Sequence, residues 1–475
     1  MPASTCGLAP TSDASTVRPF SLPWPRLRSK SQPGDLTRRA LSASGWTVGG
    51  HLATQVIRFG SNLVMTRLLV PDMFGVMALA FTFMFALSMF SDLGLRQVVT
   101  QSKRGAEPLF LNIIWTVQLI RGAVIFVLGA AIALLLYVGD TAGWLPPDTT
   151  YGHPDLPYAL FLIALTSLIS GAESTRLLTL GRDLTLARSV VMDLMAQLVG
   201  FAVMIAWALW SPTVTALCVG AIVSALMRLV LSHTWIPGIR DHLRWETETF
   251  LEIFRFGRWV FVSSILGFLT LALDKVILGW QLDARQFGIY SIAVLLVMAV
   301  YDICQRIVSA VLFPALSEVH RTAPERLKAT YYRMRIPVEA ASYLSGTLLV
   351  VAGSLLVSVL YDTRYHEAGA LLQIMAVSLF VTGVNASAQI YLVIGKPWLM
   401  TFLIAVRLAA LAVALPLLTW RFGLVGTAWG IVVSHLVTIP FLLELKRRHG
   451  VFDIGREVLA LVPIVAATVY ALTMS

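Results

Sequence analysis

Residues 45–101 read GWTVGGHLATQVIRFGSNLVMTRLLVPDMFGVMALAFTFMFALSMFSDLGLRQVVTQ, and this stretch decides the fold. It contains two apolar segments of about 20 residues, the length that a helix needs to cross the roughly 30 Å hydrocarbon core of a bilayer. Pro71 and Asp72 separate the segments and predict a tight turn. The stretch therefore predicts a membrane hairpin. Arg58 lies well inside its first arm, where a cation is too costly to face lipid.

The composition extends this conclusion to the whole chain. Of 475 residues, 57% are hydrophobic and only 13% are charged, and the mean hydropathy is +0.77. One soluble core cannot bury so many apolar side chains, so we predict a polytopic membrane protein. The net charge of +10 does not indicate a nucleic-acid partner, because the basic residues lie in short loops between apolar spans.

Signals of a soluble enzyme are missing from the sequence. Cys6, Cys218 and Cys304 are far apart and have no metal-site spacing. There is no phosphate-binding glycine loop and no large domain outside the spans. We therefore expect a transporter with no catalytic residues, no metal and no cofactor.

Successive apolar runs predict twelve membrane helices and a thirteenth at 458–474. An amphipathic segment separates the first six helices from the second six. The predicted domains are a disordered cytoplasmic tail (1–40), an N-terminal six-helix lobe (41–236), an amphipathic cytoplasmic connector (237–256), a C-terminal six-helix lobe (257–445), and a cytoplasmic loop with an extra C-terminal helix (446–475).

The distribution of basic residues predicts the orientation. With the tail in the cytoplasm, most of the 36 Lys and Arg residues fall in cytoplasmic loops or in the tail, as the positive-inside rule requires. The longest outer loop, 140–156, contains no Lys or Arg. We expect a multi-pass protein of the bacterial inner membrane with a cytoplasmic N-terminus.

The two predicted lobes resemble a sequence repeat. The pair Phe74-Gly75 and the pair Phe287-Gly288 are 213 residues apart, and each follows a long apolar helix and a short turn. An offset of six helices preserves topology, so the lobes are predicted to be parallel repeats, with a substrate site between them.

Basic side chains outnumber acidic ones inside the predicted spans. The basic residues there are Arg58, Arg121, Arg176, Arg228, Lys275, Arg306 and Arg407. The acidic residues in or near the spans are Glu173, Asp193, Asp274, Asp302 and Glu339. Such a surplus of positive charge is what a cavity for an anionic headgroup such as a pyrophosphate needs.

Some of these charges can neutralise each other within one helix. Glu173 with Arg176 has i,i+3 spacing and Asp302 with Arg306 has i,i+4 spacing, so each pair is predicted to form a structural ion pair. For Arg306, a place in the substrate cavity stays open as the alternative.

Arg58, Arg121 and Arg407 have no acidic residue within one helical turn. Each is predicted either to line a cavity or to pair with a distant helix. The repeat offset brings Asp274-Lys275 within a turn of the level of Arg58, so polar groups are expected to face each other across the lobes. Adjacent helical residues point about 100° apart, so at most one of the two need face the cavity.

Three residues are candidates for ion coupling: Asp274, Asp302 and His51. An intramembrane histidine titrates near neutral pH and can relay protons. The alternative for His51, and also for His435, is a hydrogen bond between helices.

Several stretches of the sequence resemble a known protein family. They are TRLLVPDMFGVMAL (66–79), FSDLGLRQVVTQ (90–101), GRDLTLARSVVMDLMAQLVG (181–200), LDKVILGWQLDARQFGIYSIA (273–293) and VLFPALSEV (311–319). They are similar to bacterial oligosaccharide-lipid flippases of the polysaccharide transporter family (Wzx-type). That family belongs to the superfamily that includes the multidrug extrusion transporters.

The resemblance implies an all-α fold with two six-helix lobes in a V-shaped arrangement. It implies alternating access that moves undecaprenyl-pyrophosphate-linked oligosaccharide repeat units across the inner membrane for surface polysaccharide synthesis. Other polysaccharide-assembly membrane proteins are possible partners. Depth in the bilayer, not the resemblance, selects the cavity cations, which are Arg58, Arg121, Lys275, Arg306 and Arg407.

Two alternative functions remain open. A cation-coupled multidrug exporter of the same superfamily needs acidic cavity residues to capture cationic drugs, and Arg58 in the first helix argues against it. A polysaccharide polymerase or ligase is expected to carry basic residues in a large outer loop, and the longest outer loop here has none.

Overall fold

The computed structural model describes residues 33–102, 104–182, 187–308, 312–385 and 388–474. Within these ranges some side chains are not described, among them those of His51 and Arg306. The predicted tail lies outside the described residues up to position 32, and Pro33 already begins the first helix. The described residues form helices and no strand.

The helices of the N-terminal half, as far as the structure describes it, are α1 (Pro33–Leu68), α2 (Pro71–Phe90), α3 (Leu95–Gln101), α4 (Pro108–Thr141), α5 (Asp155–Gly171), α6 (Arg176–Arg182), α7 (Ala187–Trp210) and α8 (Val214–Thr234). Those of the C-terminal half are α9 (Thr247–Gln281), α10 (Ala284–Ile307), α11 (Phe313–Thr322), α12 (Leu327–Leu360), α13 (Glu367–Asn385), α14 (Gln389–Val393), α15 (Pro397–Leu436), α16 (Thr438–Arg448) and α17 (Ile454–Met474). In the described part of the chain, short 3-10 helices lie in loops at Thr150–Gly152, Pro324–Arg326 and Thr363–Tyr365.

Local sequence explains where these helices begin and bend. Pro71 starts α2, where its missing N–H costs nothing. Asp283 caps α10 by accepting a hydrogen bond from the backbone N–H of Gln286 at 2.7 Å. Gly423 interrupts α15 with φ 58°, ψ −137°, a conformation that favours glycine. This kink lies where two separate helices are predicted.

Ten helices among the described residues are long and apolar enough to cross a membrane, and α17 is one of them. The shorter α5 is apolar as well, with 17 residues. Helix α9 begins at Thr247, so the last part of the predicted connector forms its first turns. The number of spans and the division into two lobes stay predictions.

Packing is densest around α13, which is buried along nearly its whole length between α10, α12, α15 and α17. Its sequence is apolar on all sides, as is typical of a helix inside a bundle. In the N-terminal half the main pairs are α4 with α5, α7 with α8 and α1 with α7. The two halves meet mainly where α2 packs against α10 and α9.

Helices α2 and α10 both begin at the same end of the molecule, which we call the Pro71 end. Here a Cβ atom built on Gly75 would lie 1.9 Å from the carbonyl oxygen of Ala284, and one built on Gly288 would lie 2.0 Å from that of Pro71. Only glycine permits such an approach of two backbones. The pair of glycines predicted as repeat equivalents therefore forms the helix crossing between the halves.

Candidate functional site

A cavity of about 760 Å³ lies between α2, α4 and α5 in the N-terminal half. Arg121 of α4 lines it and donates hydrogen bonds to the Ser88 carbonyl oxygen (2.9 Å) and to the Ser91 hydroxyl (3.2 Å). Both acceptors are neutral and belong to α2 or its C-cap. Other polar residues that line the cavity are Asp92, Arg96, Gln118 and Glu173. Arg121 is therefore positioned without being neutralised by a direct ion pair among the described residues.

The prediction of an ion pair between Glu173 and Arg176 is wrong. The Glu173 carboxylate lies 3.0 Å from Nε of Arg228, and the same guanidinium lies 3.0 Å from Asp193. Glu173 occupies the turn between α5 and α6, so helical i,i+3 spacing does not bring it to Arg176. Arg176 instead donates to the carbonyl oxygens of His233, Ile236 and Ile239.

In the C-terminal half, Asp274 and Lys275 lie next to each other near the end of α9. Asp274 accepts a hydrogen bond of 2.5 Å from the Tyr290 hydroxyl on α10. Lys275 Nζ lies 3.8 Å from the Asp274 carboxylate and donates to the Leu271 carbonyl oxygen at 2.9 Å. The carboxylate is thus shared between a neutral donor and one cation.

Arg407 of α15 adds a second cation to this group. It is partly exposed and makes no hydrogen bond or ion pair with any residue that the structure describes. It interacts electrostatically with Asp274 and Tyr301 and with His435. The buried Nδ1 of His435 has no hydrogen-bond partner among the described residues. With Lys275 and Arg407 against one carboxylate, the cluster keeps an excess positive charge.

Arg58 is the least constrained of the predicted cations. It lies ten residues before the end of α1, about 15 Å along the helix axis, and is exposed. Among the described residues no hydrogen bond or ion pair of its side chain is found. The structure does not bring it into contact with Arg121 or with Lys275.

The predicted roles of three site residues, Asp302, Arg306 and His51, stay untested. Asp302 is partly exposed and its side chain has no ion pair with a described residue. The side chains of Arg306 and His51 lie outside the described part of the chain, so their predicted roles stay predictions, including the Asp302–Arg306 pair. In the described ranges no group of three His, Cys, Asp or Glu residues can hold a metal ion.

A second group of buried charges was not predicted as a unit. Glu457 Oε1 accepts hydrogen bonds from Arg335 (2.7 Å), Lys446 (2.9 Å) and the Tyr332 hydroxyl (2.8 Å), and Arg335 also pairs with Glu339. Arg335, Lys446 and Glu457 are each at most 2% exposed. We call these side chains the α17 network, because they connect α12 and α16 to the start of α17.

The family model described as "Polysaccharide biosynthesis protein" matches residues 64–369. The succinoglycan biosynthesis transport protein ExoT of Rhizobium meliloti (strain 1021) is 22% identical over 70% of this chain and 65% of its own length. The lipopolysaccharide biosynthesis protein WzxC of Escherichia coli (strain K12) is 21% identical over 72% of this chain and 67% of its own. The chain thus spans about two thirds of the length of these relatives.

Two solved structures show the same fold. The lipid II flippase MurJ in an inward closed conformation aligns with a TM-score of 0.64 at 10% identity, over 90% of this chain and 91% of that one. An inward-facing multidrug resistance transporter of the MATE family aligns with a TM-score of 0.60 at 13% identity, over 83% of this chain and 94% of that one.

These findings confirm the predicted fold class, an all-α membrane protein with the architecture of multidrug exporters. They also confirm the predicted resemblance to polysaccharide transporters. The family model covers more than half of the sequence. The chain therefore belongs to the polysaccharide biosynthesis protein family.

Proposed function

We propose that this protein flips undecaprenyl-pyrophosphate-linked oligosaccharide repeat units across the bacterial inner membrane, and that it is not an enzyme. Membership of the polysaccharide biosynthesis protein family supports this assignment, and so does the likeness to ExoT, a succinoglycan biosynthesis transport protein. The flipped units supply the synthesis of surface polysaccharide, and the similar protein WzxC is a lipopolysaccharide biosynthesis protein.

The proposal rests on two arginines, Arg58 and Arg407, whose side chains have no partner among the described residues. Both lie in helices predicted to span the membrane. A cation at the centre of a bilayer costs about 2.5 kcal/mol or more, so a fold retains it where it meets water or an anionic ligand. Guanidinium groups bind phosphate oxygens in bidentate fashion. We therefore infer that a pyrophosphate is the anion that these two guanidinium groups bind.

The proposed cycle starts from the packing of α2 on α10. In α2, the buried residues fall between Pro71 and Met84, and none lies in the last turns. Burial in α10 is likewise concentrated before residue 298. The halves are therefore packed at the Pro71 end and looser at the other end. With the N-terminus in the cytoplasm, the headgroup enters from the cytoplasm while the prenyl chain stays in lipid.

One alternative keeps support from the fold. A cation-coupled drug exporter is consistent with the likeness to the MATE transporter. The excess positive charge around Lys275 and Arg407 disfavours it, because a cationic drug would be repelled. Drug susceptibility of a deletion strain separates the two, since only an exporter makes that strain more sensitive.

The direct test is complementation of a deletion strain by an Arg58→Gln, Arg407→Gln double variant. We expect export of surface polysaccharide to fall at least about tenfold, because each lost charge-assisted hydrogen bond is worth about 1.5–3 kcal/mol. Lipid-linked units should accumulate on the cytoplasmic leaflet.

The matched control is Arg447→Gln, whose side chain is 75% exposed at the end of α16. It should export normally at equal protein level. Wild-type export by the double variant contradicts the assigned cations. Accumulation of unpolymerised units in the periplasm of the deletion strain indicates a polymerase instead of a flippase.

A further inference from the structure

The loop between α4 and α5 crosses from the N-terminal half to the C-terminal half. The backbone N–H and the hydroxyl of Thr150 both donate to the carbonyl oxygen of Leu282, each at 2.8 Å. Leu282 is the C-cap of α9, so its carbonyl has no partner within that helix. Thr150 is fully buried. A helix end of one half is thus completed by a loop of the other.

Tyr151, the next residue, extends this contact. Its hydroxyl donates to the Val276 carbonyl oxygen at 3.3 Å. Its ring packs edge-on against Phe83 of α2, with centroids 5.7 Å apart, and at a tilt against Trp280 of α9, with centroids 5.9 Å apart. Burial raises the pKa of Tyr151 to about 12, so the hydroxyl remains a donor at all physiological pH values. We call residues 149–152 the first strap.

The loop between α12 and α13 makes the reverse contact. The Tyr365 hydroxyl donates to the Leu69 carbonyl oxygen at 3.2 Å, and Arg364 donates to that of Arg67 at 3.1 Å. The Tyr361 hydroxyl donates to Asn62 Oδ1 of α1 at 3.0 Å. We call residues 361–366 the second strap. It belongs to the C-terminal half and binds the end of α1.

The two straps are related by the sequence repeat. Leu69 and Leu282 are 213 residues apart, the same offset that separates Phe74-Gly75 from Phe287-Gly288. Each half therefore uses its outer loop to bind the carbonyl that follows the first helix of the other half. Gly75 and Gly288 of the helix crossing each follow one of these leucines by six residues.

We propose that the two straps together hold the Pro71 end closed, and that both must release before it opens to the periplasm. This rests on the proposed alternating access and orientation. The straps oppose opening because the bonds from Thr150, Tyr151, Tyr361, Arg364 and Tyr365 described above each join one half to the other. Either strap alone keeps the end partly closed, since each binds a different helix end. The residues of the straps thus set which face of the membrane the central site meets.

The test measures access from outside the cell and not transport. Leu79→Cys is the reporter, because Leu79 is fully buried and faces α9 at Gly279, beneath Tyr151. The background replaces Cys6, Cys218 and Cys304 by Ser, and intact cells are labelled with a membrane-impermeant maleimide. Trp144→Cys, at a 73% exposed position of the outer loop, gives the rate of full access.

The strap variants remove side-chain donors. Thr150→Val with Tyr151→Phe loosens the first strap, and Tyr361→Phe with Tyr365→Phe loosens the second. We expect about threefold faster labelling of Leu79→Cys from either pair and at least about tenfold from both together. The control, Tyr158→Phe, removes the hydroxyl of a 51% exposed tyrosine and should change nothing.

Unchanged labelling with both straps altered overturns the proposal. An unlabelled Trp144→Cys overturns it as well, since the Pro71 end would then not face the periplasm. Faster labelling in a protein that exports no polysaccharide leaves the straps in place and contradicts the proposed function instead. The two ideas therefore fail separately.

A cross-link supplies a second measurement for the case that Leu79→Cys does not fold. The bond between Thr150 N and Leu282 O places their Cα atoms within about 7 Å, which a disulfide can span. In Thr150→Cys, Leu282→Cys, oxidation should stop export and a reductant should restore it. Normal export by fully cross-linked protein contradicts the need for opening at this end.

Discussion

Two groups of charged side chains in the C-terminal half differ in what holds them. In the α17 network, Arg335 and Lys446 share the buried carboxylate of Glu457. Around Asp274, by contrast, Arg407 has no direct partner among the described residues. The sequence predicts Arg407, but not Arg335 or Lys446, inside a membrane span, and it does not show which of these cations has a buried partner. The difference indicates that the network serves the fold, and it supports the proposal that Arg407 binds an anionic ligand.

The largest expected effect is a loss of stability when the α17 network is broken. Arg335→Met leaves the Glu457 and Glu339 carboxylates buried with fewer partners, and breaking a buried ion pair in this way costs about 3–5 kcal/mol. The free energy of unfolding of the purified protein should fall by that amount. Arg447→Met, at a 75% exposed side chain, should change it by less than about 0.5 kcal/mol. Equal stability of the two variants would show that the network does not hold α17.

Arg407→Met should have the opposite effect on stability. Removing an unpaired cation from a membrane span is expected to raise the free energy of unfolding by up to about 2.5 kcal/mol, while export falls. The same unfolding measurement, with export assayed in a deletion strain, checks both. A loss of stability as large as that of Arg335→Met contradicts the distinction between the two groups.

Lys275→Met should have a smaller effect. Its ammonium is 3.8 Å from Asp274 and also bonds the Leu271 carbonyl, so it is partly compensated. We expect export to fall about threefold, since the compensated charge is worth less than about 1 kcal/mol to an anion. Lys275→Arg, which keeps the charge, should restore it. Equal loss in both variants would show that geometry and not charge matters at this position.

The smallest expected effect is of pH on the second strap. Hydrogen bonds from Thr363 and Arg364 hold the pKa of Asp362 below its usual value of about 3.9. Because the pKa is lowered in the folded state, the ionised Asp362 carboxylate stabilises the fold above about pH 3.9, and this stabilisation is lost only as the pH falls below that value. Labelling of Leu79→Cys relative to Trp144→Cys should stay constant from pH 5 to pH 8. A threefold rise at pH 5 would contradict this.

Much of the fold follows from the sequence. Apolar length predicts membrane spans, and ten of the described helices are long and apolar enough to be spans. Helix α2 begins at the predicted Pro71 turn. The repeat of Phe74-Gly75 and Phe287-Gly288 was visible as a spacing, but not as the crossing that joins the halves. A spacing shows that two segments are equivalent and does not show that they touch.

The site was less predictable because its charges pair through space. Glu173 binds Arg228, 55 positions away, although Arg176 is closer in sequence. Arg335 and Glu457 are separated by 122 residues, so no helical spacing indicates them. The outer loop was recognised by its lack of Lys and Arg, yet nothing in its composition shows that Thr150 binds the other half. Such contacts are set by tertiary packing.

Binding of the lipid carrier to purified protein tests the central claim most directly. If unpaired cations bind a phosphorylated carrier, the wild type should bind undecaprenyl pyrophosphate at least about a hundredfold more tightly than undecaprenol, since two or more charge-assisted hydrogen bonds are gained. The Arg58→Gln, Arg407→Gln double variant should lose most of that preference. Equal affinity of the wild type for both lipids, or an unchanged preference in the double variant, would contradict the account.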